Sequence, residues 1–384
     1  MIYLDNNGST KLDPEVRAAM EGALDLCGNP SSIHAEGRRA RRAVEEAREE
    51  VALLIAARPE EIFFTSGGTE SNAMAIFGAA AGSPGRLVRS GAEHLSVREP
   101  FARLEGGGYA QVVVNPEASG FLDAERVASA IDGATRLVSV MLANNEYGGL
   151  YPVEPIAARS RGVGALCHSD AVQAAGRIPI DVGRLGVDLL SISAHKMHGP
   201  KGVGALFVRR GTKLEPRTPG GGQERRMRAG TENTPGIVGF GVAARLARER
   251  LAADAPAVEL LRDRLERTIL DRVAGARVIG VEAPRLPNTA AIFFEGTSGE
   301  TLAIRLDLEG IAVSVGSACS SGTTAPSPAL LALGLPRSDA RSVVRLSLSR
   351  FTTEAEVDEA ARRIAAAVTA VRESSLPSPA LAHA

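Results

Sequence analysis

Apolar residues recur along this chain in two alternating rhythms. Over residues 36–57 (EGRRARRAVEEAREEVALLIAA), Ala40, Val44, Ala47, Val51 and Leu54 share one face while charges fill the others. That period predicts a surface helix of about six turns. Short β-branched or leucine-rich runs follow at 112–114 (VVV), 137–142 (LVSVML), 165–168 (ALCH) and 188–193 (DLLSIS), each predicting a strand. Between them, DAERVASAI (123–131) and VEPIAARSR (153–161) have the helical period. Strands alternating with helical crossovers predict an α/β fold with a mostly parallel sheet covered on both faces. After about residue 250 the pattern changes to a charged helical stretch over 244–273, scattered strands, a final helix over 353–371 and a tail, SSLPSPALAHA, expected to be flexible. We therefore expect a large domain over 11–250 and a smaller α+β domain formed by 1–10 with 251–384.

Length agrees, since 384 residues exceed what one simple core usually organises. Charge narrows the choice of partners. Lysine plus arginine number 44 against 45 aspartates and glutamates, which gives no electrostatic reason to expect nucleic acid or an anionic membrane. No apolar run approaches the roughly 18 residues needed to span a bilayer. The opening MIYLDNNGST lacks the basic-then-apolar pattern of a secretory signal. Three cysteines, Cys27, Cys167 and Cys319, stand far apart, so neither a disulfide framework nor a cysteine metal site is expected. A cytoplasmic setting is the expectation, with no metal.

In open α/β sheets, ligands sit beyond the carboxyl ends of the strands. Residues following the apolar runs are therefore the candidates for chemistry. After IFF (62–64) comes TSGGTESN, a glycine turn with Gly68 and Thr69 opening a helical pattern. Its backbone N–H groups could cradle a phosphate, or the turn could simply cap a helix. After ALCH come Asp170 and Gln173; after LVSVML comes Asn145; after SGAE comes His94. Each alone has an ordinary reading as a cap or loop residue. After DLLSIS comes Lys196, flanked by His195 and His198 and followed by a Pro-Lys-Gly turn, an unusual place for a lysine. A lysine, an upstream aspartate and a phosphate cradle at strand ends are together the three anchors that pyridoxal phosphate requires. The lysine joins the aldehyde, the aspartate keeps the ring nitrogen protonated, and the cradle holds the phosphate. His94 is available to cover the ring face.

Ordered along the chain are YLDNNGST (3–10), CGNPSSIH (27–34), FTSGGTESN (64–72), the AEH ending at His94, NNEYG (144–148) and HSDAVQ (168–173). SAHKMHGPKGVGAL (193–206), GGGQERRMRAGTEN (220–233), GSACSSG (316–322) and VVRLSLSRFTTEAEVD (343–358) complete the series. With these motifs the chain resembles the cysteine desulfurases of the NifS/IscS type, within the class V aminotransferase-like, fold-type I pyridoxal-phosphate enzymes. The resemblance implies that Lys196 is the Schiff-base lysine. His94 would stack on the pyridine ring and shuttle protons, Asp170 would pair with the ring nitrogen, and Gln173 would reach the phenolic oxygen. Gly68, Thr69, Ser193 and His195 would surround the phosphate. Thr231 would reach the phosphate of a neighbouring subunit, implying a homodimer. Asn145 and Arg345 would hold the substrate carboxylate, for which an arginine fork is well suited.

Cys319 would be the nucleophile. Its surroundings, small polar residues between glycines 316 and 322, suit a mobile loop (316–326) better than a core. Cys167 reads as a buried strand residue, and Cys27 as structural. The implied reaction removes sulfur from L-cysteine, leaving L-alanine and a persulfide on Cys319 that passes to an acceptor protein, either an iron–sulfur scaffold or a thiolation carrier. A selenocysteine lyase, or another enzyme of the same fold, is the alternative. Gly68 stands where an alanine is frequent in the family, a change that backbone contacts to phosphate should tolerate.

Overall fold

A computed structural model of the chain describes residues 1–82, 84–316 and 325–375. Its strands are β1 (Ile2–Tyr3), β2 (Ile62–Thr65), β3 (Arg86–Ser90), β4 (Ala110–Val114), β5 (Thr135–Ser139), β6 (Leu166–Asp170), β7 (Leu189–Ser193), β8 (Gly204–Val208), β9 (Ala276–Val278), β10 (Thr289–Phe294), β11 (Ile311–Ala312) and β12 (Val343–Ser347). Seven of them form one sheet in the order β2-β8-β7-β6-β5-β3-β4. Pairing is parallel from β4 through β7, and β8 runs antiparallel to both β7 and β2. Every residue of β2, β7 and β8 is buried, which explains why these segments read as unbroken apolar runs.

This topology fixes the site. Because β8 reverses twice over, β2, β3, β5, β6 and β7 all end at the same edge, carrying Thr65, Ser90, Ser139, Asp170 and Ser193 to it. Thr65 and Ser193 both lie opposite Gly204 in register. A Cβ at Gly204 would stand 2.7 Å from the Cα of Gly67, so the turn after β2 rests directly on the backbone of β8.

The helix predicted over 36–57 spans Ala35–Leu54, and its five expected apolar positions are all buried. The helix expected over 244–273 is longer than its pattern. It begins at Thr234 rather than near 244 and runs unbroken to Arg272, capped by the Asn233 side chain accepting from the Gly236 N–H. Glycines 236, 239 and 241 disguise its first turns. Packing demands at least one of them, since a Cβ on Gly241 would lie 2.6 Å from the Cα of Ala47 in the neighbouring helix. Ala243, Ala244 and Ala247 of this helix join the core under the large sheet, whereas Val258, Leu265 and Ile269 join a second cluster. That second cluster also contains Leu4, β10, β12 and the helix Glu354–Ser375. Its sheet is antiparallel, β12-β10-β9, with β1 and β11 pairing alongside it. The expected tail starts within the last helical turn and otherwise falls outside the described residues.

Two cysteines can be placed. Cys167 is fully buried in β6, and burial pushes its thiol up to about 12. Cys27 is exposed and free, so the reading of it as structural is not supported by packing. No described helix is long and apolar enough to cross a membrane. Among the described residues no group of three metal-ligating side chains converges.

Candidate active site

At the carboxyl edge of the large sheet lies a cavity of about 430 Å³. Lys196 lines it from a short 3₁₀ turn, Ala194–Lys196, that follows β7 directly. Its Nζ donates to the carbonyls of Asn7 (2.5 Å) and Gly8 (2.7 Å), so the N-terminal segment forms part of the same wall. Lys196 is the only lysine among the lining residues.

Asp170 ends β6 and is held on both oxygens. Oδ1 accepts from the Val172 N–H at 2.9 Å, and Oδ2 accepts from Asn72 Nδ2 at 2.7 Å. Asn72 uses its other amide hydrogen on Ser96 Oγ at 2.8 Å. His94 caps the helix Leu95–Glu105, its Nδ1 accepting from the Ser96 N–H at 3.1 Å with Ser96 Oγ at 2.7 Å. Nδ1 is therefore an acceptor and the neutral ring carries its proton on Nε2. One hydrogen-bond chain thus runs from His94 through Ser96 and Asn72 to Asp170, fixing ring and carboxylate relative to each other.

The anion cradle is built at the other end. Helix Gly68–Ala79 starts at the cavity with no side-chain cap, because its N-cap is Gly67. Gly67 has φ of 150°, a conformation closed to other residues. Ser193 Oγ lines the cavity, is buried, and makes no hydrogen bond within the protein. An uncapped helix start beside a buried hydroxyl with no protein partner is the arrangement an anion satisfies. His195 lines the same end, its Nδ1 3.2 Å from Ser9 Oγ. Burial, reinforced by Lys196, Lys201 and Arg177, pushes it down to about 4, so it is neutral at pH 7. Gly68 has a second constraint here. A Cβ on it would lie 2.6 Å from Cγ2 of Val172, so the glycine that replaces the family's alanine matches this chain's valine.

Arg345, in β12, enters from the opposite side and is buried. It donates to the Asn145 carbonyl at 2.9 Å and to Asp5 Oδ1 at 2.8 Å, while its buried Nε makes no hydrogen bond. Gln173 Nε2 donates to the Asn7 carbonyl at 3.0 Å. Gly68, Thr69, His94, Asn145, Asp170, Gln173, Ser193, His195, Lys196 and Arg345 thus share one cavity wall. One expected residue does not join them, and another cannot be placed. Thr231 is exposed and does not line the cavity, and Cys319 lies outside the described residues. The described flanks of the Cys319 segment nonetheless border the site. Ser314 pairs with the backbone of Arg345, and Pro328 and Ala329 line the cavity.

The segment bearing Thr231 is firmly anchored below. Glu224 is buried and accepts from both terminal nitrogens of Arg48 at 2.8 Å and from the Phe64 N–H at 2.8 Å. Glu224, Arg225 and Arg226 all have left-handed φ, at 44°, 52° and 66°, a strain that such contacts must hold in place.

Sequence reasoning missed Asn72, Glu93 and Arg177. Asn72 and Glu93 stood inside motifs already singled out, at the end of FTSGGTESN and just before His94. Glu93 lines the cavity, and burial, aided by Asp170, pushes it up to about 8 against contacts from Ser90 and the Met141 N–H. Burial thus favours its neutral form.

A family model described as Aminotransferase class-V matches residues 2–360. The chain is 48% identical over 364 residues to a cysteine desulfurase of Cereibacter sphaeroides, covering 93% of both chains. It is 47% identical over 378 residues to a cysteine desulfurase of Bradyrhizobium diazoefficiens, covering 97% of this chain and 96% of the relative. Among solved structures it is similar to a NifS-like protein, with TM-score 0.89 and 36% identity over 96% of this chain and 99% of that one. It is also similar to a structure described as SspA in complex with cysteine, with TM-score 0.82 and 33% identity over 92% and 100% of the two chains.

Proposed function

The chain belongs to the class-V aminotransferase family and is a pyridoxal-phosphate-dependent cysteine desulfurase of fold-type I, and we propose how its own residues divide that work. The observation that carries the assignment of roles is the convergence on one cavity of the Lys196 amine, the doubly held Asp170 and the anion cradle with the unpartnered Ser193 hydroxyl. These fit the cofactor's aldehyde, ring nitrogen and phosphate respectively. Bound there, pyridoxal phosphate supplies an aldehyde for an amine to join and a ring that accepts electrons from a substrate carbon.

Every other task falls to the protein. Lys196 would hold the cofactor's aldehyde through its amine and, once freed, would take the Cα proton of L-cysteine on Nζ. His94, its ring fixed through Ser96, covers the cofactor face and presents its proton on Nε2. Gln173 reaches the phenolic oxygen, and Gly68, Thr69, Ser193 and the neutral His195 take the phosphate. Arg345 and Asn145 orient the substrate carboxylate, which competes with Asp5 for the guanidinium. Cys319 attacks the substrate sulfur. Purified protein given L-cysteine and a reductant should release alanine and sulfide in equal amounts. Alanine without sulfide, or neither product from cofactor-loaded protein, would overturn the reading. Selenocysteine lyase is the alternative, and a preference for the selenium substrate in the same assay would select it.

The active enzyme is a homodimer in which Thr231 of one copy completes the phosphate site of the other. Support comes from the exposure of Thr231 and from the strained anchor at Glu224–Arg226 that presents its segment. Thr231→Ala should leave the fold intact and weaken cofactor retention by about 1 kcal/mol, roughly fivefold, or more if the hydroxyl meets charge. Cofactor loss on dilution, followed by absorbance, measures this; unchanged retention, or a fully active monomer, would refute it. The chain divides functionally between 11–250 and a smaller part formed by 1–10 with 251–384, supported by the change of packing partners along helix Thr234–Arg272. The persulfide passes to an acceptor protein in the cytoplasm, an iron–sulfur scaffold or a thiolation carrier.

A further inference from the structure

Behind the cavity wall, on the far side of Lys196, lies a buried cation without a counterion. Arg177 is only 8% exposed, and no carboxylate of a described residue pairs with it. Carbonyl oxygens take its hydrogens instead: Asn6 at 3.1 Å, Gln173 at 3.2 Å and Lys196 itself at 3.4 Å. The remaining acceptor is the side-chain Oε1 of Gln173. A guanidinium can only donate, so the atom facing it must be the amide oxygen. The amide's NH₂ end is thereby turned the other way, toward the Asn7 carbonyl that Lys196 Nζ also uses. Arg177 does not line the main cavity and cannot touch a substrate there; it lines a separate small cavity with Ala247 and Asp254.

The other charges near this spot are accounted for. Arg345 is paired with Asp5 and Arg350 with Asp13, yet burial, with Arg345 as the further cause, pushes Arg177 itself down to about 9, so it carries its charge below that pH. His195 and His198 are both pushed down to about 4 by burial, with Arg177 among the further causes, and so are neutral. Asp254 makes no ion pair with Arg177. Arg177 therefore acts on its surroundings as an uncompensated positive charge, and the backbone of Lys196 is one of its contacts.

We propose that Arg177 is a positioning residue of the active site, a buried cation that fixes the Gln173 amide and lowers the pH at which Lys196, once joined to the cofactor, sheds its proton. The inference rests on the assignment of Lys196 as the cofactor lysine. A positive charge disfavours a second one nearby, so removing it makes the proton harder to lose. Gln173 is fixed at the same time, because an amide locked by its oxygen keeps an N–H donor on the Asn7 carbonyl that Lys196 Nζ shares.

The test is a spectrophotometric pH titration of the cofactor-loaded enzyme, with cofactor content measured alongside. Arg177→Gln keeps hydrogen-bonding capacity without charge, and the midpoint of the visible transition should rise by about one pH unit. Arg177→Lys keeps the charge and should stay within about 0.3 units of wild type. Should Arg177→Gln fail to fold, Ala247→Asp places a carboxylate in the small cavity it shares with Arg177 and should raise the midpoint similarly. An unmoved midpoint in a folded, cofactor-loaded neutral variant, or a shift in Arg177→Lys as large as in Arg177→Gln, would overturn the proposal. If wild type itself showed no lysine-linked visible band, the assignment of Lys196 would fail instead.

Discussion

Lys196→Ala should lose desulfurase turnover by at least about a thousandfold and, in the same step, lose the visible band of the lysine-linked cofactor. Both effects follow from position. Among the described residues Lys196 is the only lysine lining the cavity, held by the Asn7 and Gly8 carbonyls at the place proposed for the cofactor aldehyde. The same amine is required twice, first for the linkage and then as the base that takes the Cα proton. A variant that keeps either function therefore cannot be explained by a partial defect. The fold should survive, since the Nζ hydrogen bonds to the Asn7 and Gly8 carbonyls tie down a cavity-lining side chain rather than a core one. Wild-type enzyme treated with borohydride should carry the cofactor mass on the peptide containing Lys196. A label on another lysine, or a persistent band in Lys196→Ala, would displace Lys196 from the centre of the site.

The place of Lys196 at the sheet edge was legible in the sequence because parallel strands deliver their last residues to one edge. Helix Ala35–Leu54 was legible for a simpler reason, since its buried face keeps an unbroken period. The start of helix Thr234–Arg272 was not, because the glycines that let it approach its neighbour also erase its local helical signal. Within the site, the hidden residues share one property: their meaning depends on surroundings that no local pattern displays. Asn72 matters because it holds Asp170, 98 residues on. Arg177 stands four residues after Gln173, within a single turn, yet what makes it unusual is the absence of an acid, which no local pattern displays. Glu93 is another such case, an ordinary glutamate in sequence whose neutral form is favoured once it is buried.

The second large effect concerns the three thiols, and the structure sharpens it. In Cys319→Ala, cofactor content and the spectral response to L-cysteine should match wild type, because both belong to Lys196 and the cavity. Sulfur removal should fall by at least about a hundredfold, since no thiolate is left to accept the sulfur. On the proposed assignment, the Cys319 thiolate would form a bond to the substrate sulfur as the carbon–sulfur bond breaks. The electron pair of that bond stays with the substrate carbon, which is then protonated, so alanine and a persulfide form without an external oxidant. Cys167 cannot substitute, because burial holds its thiol near 12 and no solvent reaches it. Cys27 is the serious rival, being exposed and free. Its place in the chain, ahead of the helix Ala35–Leu54, puts it outside the cavity lining, whereas Pro328 and Ala329, just beyond the Cys319 segment, belong to that lining. Enzyme treated with L-cysteine alone, then alkylated and digested, should therefore show one added sulfur on the Cys319 peptide, and Cys27→Ala should leave that label unchanged. An added sulfur on Cys27, lost in Cys27→Ala while Cys319→Ala still made alanine and sulfide, would move the nucleophile out of the GSACSSG segment.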